Sequence, residues 1–339
     1  MAPHLDITVD LTTEEGLKAG GLEVLRMVRP SWSLELVQWK VFTDGITNKL
    51  LGGWCGDKMD MVLVRVYGSG TEKIIDRKVE LENMQKLQEM GYGSKLYASF
   101  NNGICYEFIH GEILSQEMLK DQVIYRSVAR MMAKMHSVQV DGKKALLWDR
   151  LEHFISCCNP ISDRLIKEWM TKDQLRAEMS MLRDLLENCS SPVVFCHNDA
   201  LLANIVVQKE TDMVTFIDME YGGPSYAAFD IANHFIEFVG CDGDLDYERW
   251  LPSRDYQLDW IQEYLAHRDK NITKEDVEVV YNQVQQFMLC AHLLWSVWAV
   301  IQAENSDIDF DFVDYALQRF REYKRWKGIL GMVGVGGGK

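Results

Sequence analysis

The chain has eight cysteines (Cys55, Cys105, Cys157, Cys158, Cys189, Cys196, Cys241 and Cys290), and no two of them stand in C-x-x-C spacing. That absence argues against a structural zinc site. Several of the cysteines lie in apolar runs, as reduced core residues do, which points to a reducing compartment. Positive charge is also short: 36 Lys and Arg face 51 Asp and Glu, for a net charge of −15. Nucleic acid and an anionic membrane surface both need a basic face, so neither is an expected partner. The amino terminus, MAPHLDITVD, has no basic region followed by an apolar run, so no secretory signal is expected. The most apolar stretch, Met288 to Ile301, is short for a membrane span and carries His292 and Ser296. It reads as a buried helix, and no stable membrane insertion is expected. No internal repeat is apparent. The chain is therefore expected to be cytoplasmic.

What is present suits a globular protein. With 339 residues, 47% apolar and 26% charged, the chain can fill a large core and has room for two lobes. Its most informative stretch is VVFCHNDALLANIVVQKETDMVTFID, Val193 to Asp218. A short strand pattern leads to His197, Asp199 and Asn204. A second strand, a polar turn at Lys209 to Asp212 and a third strand then deliver Asp218. Two aspartates and an asparagine on hairpin strands are the parts that phosphoryl transfer to a hydroxyl requires. Asp199 accepts the hydroxyl proton, while Asn204 and Asp218 offer hard oxygens to Mg²⁺. His197 reads as a packing and hydrogen-bonding residue, because Asp199 already supplies the base. The bland alternative is a polar hairpin at a sheet edge.

Taken in order, residues 12–29 read as a helix with Thr12 and Glu15 in capping-box spacing and Pro30 as its stop. Strands follow at Leu34 to Phe42, Leu50 to Cys55 and Met61 to Gly68. Asp76 to Met90 reads as a helix, and two more strands, Lys95 to Phe100 and Ile104 to Ile109, flank the hairpin signal Asn101-Asn102-Gly103. After His110-Gly111 helical periodicity dominates, with candidates at Gln122 to Val138, Gln174 to Asn188, Tyr226 to Val239, Ser253 to His267, Lys274 to Glu304 and Phe312 to Lys327. The expected organisation is a lobe at 1–111 for nucleotide, a lobe at 112–327 for catalysis and acceptor binding, and a flexible glycine-rich tail at 328–339. The fold class is α+β, with a small antiparallel-sheet lobe and a larger, mostly helical one, an order that resembles the bilobal protein-kinase-like fold.

The loop from Thr43 to Lys49 can bring backbone N–H groups to phosphate through Gly45, with Thr47 and Asn48 as further donors. Taken alone it reads as an ordinary hairpin with one glycine. Arg65 interrupts an apolar strand and needs a partner, for which Glu80 on the next helix is suited. The pair matches the strand cation and helix glutamate of kinase small lobes, and it reads equally as a structural ion pair. In a kinase-like layout the backbone from Glu107 to Ile109 meets the adenine edge. Trp295 and Trp298 are i, i+3 neighbours on the long helix, within a three-four spacing that alone reads as a core stripe.

Together the segments FTDGITNKLLG, MVLVRVYG, CYEFIHGE, FCHNDALLANIVV, FIDMEYGGPSYAAFDIANHFIEF, FMLCAHLLWSVWAVIQA and IDFDFVDYALQRF resemble the choline/ethanolamine kinase family. The resemblance runs from residue 41 to about 327, within a fold shared with aminoglycoside phosphotransferases. It implies ATP- and Mg²⁺-dependent phosphorylation of a small amino alcohol, with Asp199 as base and Asn204 and Asp218 as metal ligands. Gly45, Thr47, Asn48, Lys49 and Arg65 with Glu80 would hold the phosphates, and Asp230 would brace the catalytic loop. It further implies an ammonium pocket from Trp295, Trp298, Tyr315 and Phe312, with Glu237 as the neutralising acid; cation–π contact is the physical reason for such rings. Glu220 is suspected of serving a second magnesium. Two positions depart from the family pattern: Ala203 stands where a lysine is usual, and Met219 where an aromatic is usual.

Choline has no N–H donor and calls for a full aromatic cage, whereas ethanolamine offers three donors and calls for acceptors. The run Phe238-Val239-Gly240 followed by acidic residues is similar to the ethanolamine type. Ethanolamine is the expected substrate, which would place the reaction first in the CDP-ethanolamine route to phosphatidylethanolamine. Choline or dual activity is the alternative. An inactive nucleotide-binding scaffold and an aminoglycoside phosphotransferase are the other classes considered, and a homodimer is the self-assembly kept open.

Overall fold

The computed structural model describes residues 2–42, 48–68, 75–140, 142, 144–160, 162–208, 210–240, 243, 245–306 and 308–332. The chain divides into two compact units, Met1–Glu112 and Ile113–Lys339. Gly45 and Thr47 lie outside the described residues, as does most of the glycine-rich tail.

The first unit is built on a mixed sheet. In chain order its elements are β1 (His4–Leu5), α1 (Glu14–Val28), β2 (Gln38–Phe42), β3 (Asn48–Trp54), β4 (Val62–Tyr67), α2 (Arg77–Glu89), β5 (Leu96–Phe100) and β6 (Gly103–Glu107). Among the described residues the sheet order is β1-β5-β6-β4-β3-β2. All pairings are antiparallel except β1 on β5. The opening MAPHLDITVD thus supplies an edge strand that its short apolar content does not announce; Ser99 N–H reaches the Pro3 carbonyl at 3.0 Å and Asn101 N–H that of Ile7 at 3.0 Å. Strand β4 is central, as its β-branched run requires. Val62, Val64 and Val66 face a core shared with Leu51 of β3 and Val24 and Leu25 of α1, so the leading helix packs on that face.

Two local expectations need correction. The cap of α1 is Thr13, which accepts the Gly16 N–H; Thr12 bonds Asp10 instead, so the expected capping box does not form. The stretch from Leu34 begins with a single 3₁₀ turn, Leu34–Leu36, and only Gln38–Phe42 extends, as the close spacing of Leu34 and Leu36 on a turn allows.

Gly103 sits where β6 passes β4. A Cβ there would stand 2.2 Å from the Arg65 carbonyl oxygen and 2.4 Å from the Phe100 ring. Gly103→Ala is therefore expected to destabilise the protein by about 2–3 kcal/mol, read as a lower midpoint in urea unfolding.

The second unit is mostly helical: β7 (Glu112–Ile113, at the unit boundary), α3 (Gln122–Met135), α4 (Leu147–Cys157), α5 (Asp163–Glu168), α6 (Lys172–Glu187), β8 (Val193–Cys196), β9 (Ile205–Gln208), β10 (Met213–Phe216), β11 (Gly223–Tyr226), α7 (Ala227–Ile236), α8 (Tyr247–Trp250), α9 (Arg254–Arg268), α10 (Lys274–Asn305) and α11 (Phe312–Ile329). Its 32-residue α10 starts with a capping box between Thr273 and Asp276 and packs along α11 and α7. By length and composition α10 passes for a membrane span, but 89% of its apolar window is buried inside the protein. Strand β8 pairs antiparallel with β11, while β9 and β10 form a separate hairpin beside β7. Asp199, Asn204 and Asp218 consequently lie in the loops flanking these strands rather than on the strands themselves.

Candidate active site

The loop after β8 is fixed by one buried carboxylate. Asp230, in the first turn of α7 and without solvent exposure, accepts the His197 N–H at 2.8 Å and the Asn198 N–H at 2.7 Å. It also accepts the His136 Nε2–H at 3.0 Å, and His136 Nδ1 in turn accepts the Tyr264 hydroxyl at 2.8 Å. Asp230 has no proton to give when ionised, so this tautomer of His136 is required. Burial lowers the His136 pKa. It therefore serves Asp230 as a neutral N–H donor. Burial works against the ionised Asp230, yet its bonds to His136 and the loop amides hold its pKa below the ordinary value.

Asn198, at φ 65°, occupies the left-handed region, which Asn tolerates better than most residues. Its amide donates to the Tyr221 carbonyl at 2.9 Å. The turn delivers Asp199, whose carbonyl and carboxylate accept from Asn204 Nδ2 at 3.0 and 3.2 Å. Both partners are acceptors, so the Asn204 orientation is settled and its amide oxygen is left for a ligand. The Ile217 N–H bonds the Asn204 carbonyl at 2.9 Å, which draws the next residue, Asp218, to the same place. Asp218 has φ 61°, a strained backbone for a non-glycine residue. The carboxylates of Asp218 and Glu220 offer oxygens within 4.8 Å of each other. Two carboxylates and an oriented amide oxygen form a hard donor set that fits a magnesium ion. Part of the Asp199 surface stays accessible, but burial and the charges of Glu237, Glu220 and Asp218 push its carboxyl well above the ordinary range. His197 donates from Nε2 to the Ile217 carbonyl at 2.9 Å and its ring meets that of Phe216 at 5.5 Å with a 52° tilt, which ties the two loops together.

A wall of aromatic rings continues from this loop. The Trp298 N–H donates to the Tyr221 hydroxyl at 2.9 Å, and the Trp295 N–H to Asn233 Oδ1 at 2.6 Å. Tyr221 meets Trp295 edge-on at 5.4 Å, Trp295 meets Trp298 at 5.6 Å, and Trp298 meets Phe312 at 5.9 Å. Phe310 bridges Phe312 and Tyr315 at 4.7 and 5.7 Å. With both indole N–H groups already satisfied, the ring faces are what the wall can offer, and faces suit a cation.

Glu237 follows α7 in a 3₁₀ turn, Glu237–Val239, and is buried. Its Oε1 accepts from Arg319 at 2.7 Å, and the same guanidinium nitrogen donates to the Tyr315 hydroxyl at 2.7 Å. Glu237, expected to neutralise an ammonium, already has a cation beside it from α11. Sequence reasoning missed Arg319, Tyr221, Asn233 and Arg150, the last of which donates to the Tyr221 carbonyl at 2.8 Å. A signal existed for Arg319, a charge within the apolar stripe of α11, in the way that Arg65 was found in β4.

In the first unit Arg65, at 4% exposure, forms an ion pair with the fully buried Glu80. Arg77 joins them, donating to Glu80 at 2.9 Å and to Asn48 at 3.3 Å, with its guanidinium 3.8 Å from the Tyr67 ring centre. Leu50 pairs with Arg65 and Asn48 with Tyr67, so these four share one face of the sheet. Lys49, one residue out of phase, lies on the opposite face with Leu51 and is not brought to Arg65. The Glu107 N–H bonds the Lys95 carbonyl at 2.9 Å and its carboxylate takes the Lys95 N–H at 3.1 Å, so that amide serves strand pairing. Ile109 lies beyond the strand and is half-buried.

A family model described as Choline/ethanolamine kinase matches residues 39–324. The chain is 40% identical over 341 aligned residues to ethanolamine kinase 1 of Mus musculus, covering 96% of this chain and 93% of that protein. Among solved structures it is similar to an ethanolamine kinase of Plasmodium vivax, with a TM-score of 0.82, 25% identity, and coverage of 94% of this chain and 92% of the other. A choline kinase of Cryptosporidium parvum matches with a TM-score of 0.77, 25% identity, and coverage of 92% and 95%.

Proposed function

Because the chain belongs to the choline/ethanolamine kinase family, we propose that it transfers the terminal phosphoryl group of ATP to the hydroxyl of ethanolamine. The observation that carries this reading is Tyr221. Its carbonyl is held by Asn198 of the catalytic loop, and its hydroxyl holds Trp298 of the aromatic wall. One residue thereby ties the proton acceptor to the surface that suits a small cation, which is the arrangement needed to orient an amino alcohol for attack.

In this reading Asp199 takes the hydroxyl proton as the oxygen attacks phosphorus; the carboxylate is positioned by Asn204, and through Asp230 by the loop amides. Asn204, Asp218 and Glu220 would hold magnesium, which supplies charge neutralisation to the phosphates. Arg65 and Asn48, ordered by Glu80 and Arg77, serve the nucleotide phosphates from the first unit, and the same role is proposed for Gly45 and Thr47, which lie outside the described residues. Trp295, Trp298, Tyr221 and Phe312 receive the ammonium, and Glu237 and Tyr315 supply acceptors near it. Residues 1–111 would thus carry the nucleotide groups and 112–327 the acceptor chemistry. The buried free thiols of Cys105, Cys158, Cys196 and Cys290 favour the cytoplasm as the site of action.

Choline is the second reading, favoured by the ring faces alone. Under either reading Trp298→Leu is expected to raise the KM for the amino alcohol roughly 2–30-fold, the worth of one cation–π contact. The KM for ATP should hold steady. Steady-state kinetics with each substrate varied in turn checks this, and an unchanged amino-alcohol KM would remove Trp298 from the pocket.

A further inference from the structure

Arg319 is an expensive residue to place where it is. It has no solvent exposure, and among the described residues its Nε and Nη1 have no hydrogen-bond partner. Among the described residues its Nη2 does the bonding, to Glu237 Oε1 and the Tyr315 hydroxyl, both at 2.7 Å. The guanidinium carbon also lies 4.9 Å from the Tyr315 ring centre and 6.0 Å from that of Tyr247. A buried ion pair is seldom the most stable solution for a core, since apolar residues of like volume usually serve stability as well or better. A half-used buried arginine therefore calls for a reason other than packing.

Resting on the reading above, we propose that Arg319 determines acceptor specificity: by clamping Glu237 it cancels most of that acid's bare charge while leaving its second oxygen free to accept an N–H. Arg319 engages Oε1, and Oε2 has no hydrogen-bond partner among the described residues. A primary ammonium can donate to Oε2; a quaternary ammonium has no donor and feels only the charge, which the guanidinium has largely offset. The clamp thus penalises the quaternary ligand and spares the primary one, so discrimination arises from an element that repels as well as one that attracts.

Groups from several elements act on Glu237: Arg319 from α11, Tyr247 from α8 and Asp199 from the loop after β8. Tyr247 is itself influenced by Glu322 and Arg325 of α11, and its ring packs on His292 of α10, which burial holds neutral. Burial pushes the Glu237 carboxyl up, and Arg319 opposes that push. Without Arg319 the acid tends to protonate and ethanolamine binding should become pH-dependent, improving as pH rises.

The test is kcat and KM for ethanolamine and for choline, from pH 6.5 to 8.5, in wild type, Arg319→Gln and the double variant Arg319→Gln, Glu237→Gln. Arg319→Gln is expected to lower the ethanolamine-over-choline ratio of kcat/KM roughly tenfold, with the largest loss at the acid end and the KM for ATP little changed. If that variant does not fold, the double variant replaces the charged pair by a neutral one of similar shape. Its ratio should collapse because ethanolamine loses more than choline, and no new pH dependence should appear. Equal losses for both alcohols at every pH, or an unchanged ratio in the double variant, would make Arg319 merely structural and overturn the proposal. A wild type that phosphorylates neither alcohol would remove the functional reading itself, and the proposal with it.

Discussion

Asp199→Asn is expected to lower kcat by about 10²–10⁴-fold, the usual worth of a positioned base, with nucleotide affinity retained. The substitution keeps the shape of the side chain and removes its ability to take a proton. It should also make the metal-free protein more heat-stable, and the sign follows from the surroundings. The Asp199 carboxyl is pushed well above its ordinary range by burial and by Glu237, Glu220 and Asp218. At neutral pH the unfolded chain carries this group ionised at little cost, whereas the folded chain holds it against three like charges; a neutral asparagine relieves that repulsion. Loss of turnover with a higher Tm is the signature of a strained functional group. Calorimetry without magnesium, paired with a turnover assay, reads both halves. A lower Tm, or activity within tenfold of wild type, would contradict the assignment.

Asp230→Ala should fail in a different way. It leaves the buried N–H groups of His197 and Asn198 and the Nε2–H of His136 without an acceptor. Breaking such a buried network costs about 3–5 kcal/mol, visible as a large drop in the unfolding midpoint. Asp230→Asn is expected to be nearly as harmful, because its NH₂ must face one of those same donors. In whatever fraction stays folded, Asp199 is no longer held in register, and a displacement near 1 Å costs about 100-fold in kcat. The acid side of the stability profile carries the same signature. The Asp230 pKa is held below its ordinary value, so its contribution is present above the unfolded-state pKa and disappears as pH falls through the lower folded one. The wild type should therefore lose stability on acidification below about pH 4 more steeply than Asp230→Asn.

Much of this site was legible because its chemistry is local in sequence. Asp199, Asn204 and Asp218 fall within 20 residues, and the strand patterns around them are strongly apolar. Arg65 and Glu80 announced each other because a lone charge in a β-branched strand needs a partner. What escaped notice depends on long-range packing. Tyr221 and Arg150 become informative only when the carbonyl of one meets the guanidinium of the other, 71 positions away. Arg319 lies 82 positions from Glu237, and no periodicity links a 3₁₀ turn to the inner face of a helix. Strand β1 was missed because two residues carry too little pattern, and its pairing is decided by β5. Lys49, expected beside Arg65 at the phosphates, is carried to the other face of the sheet by strand alternation, which nearness in sequence does not show.

The central claim, a phosphotransferase with a base at Asp199 and a pocket for a primary ammonium alcohol, is tested most directly by ³¹P NMR. Purified protein is given ATP and Mg²⁺ with ethanolamine and choline in equal amounts. The account predicts phosphoethanolamine as the main phosphomonoester in wild type and none in Asp199→Asn. Phosphocholine in excess, or ATP unchanged with both alcohols, would contradict it.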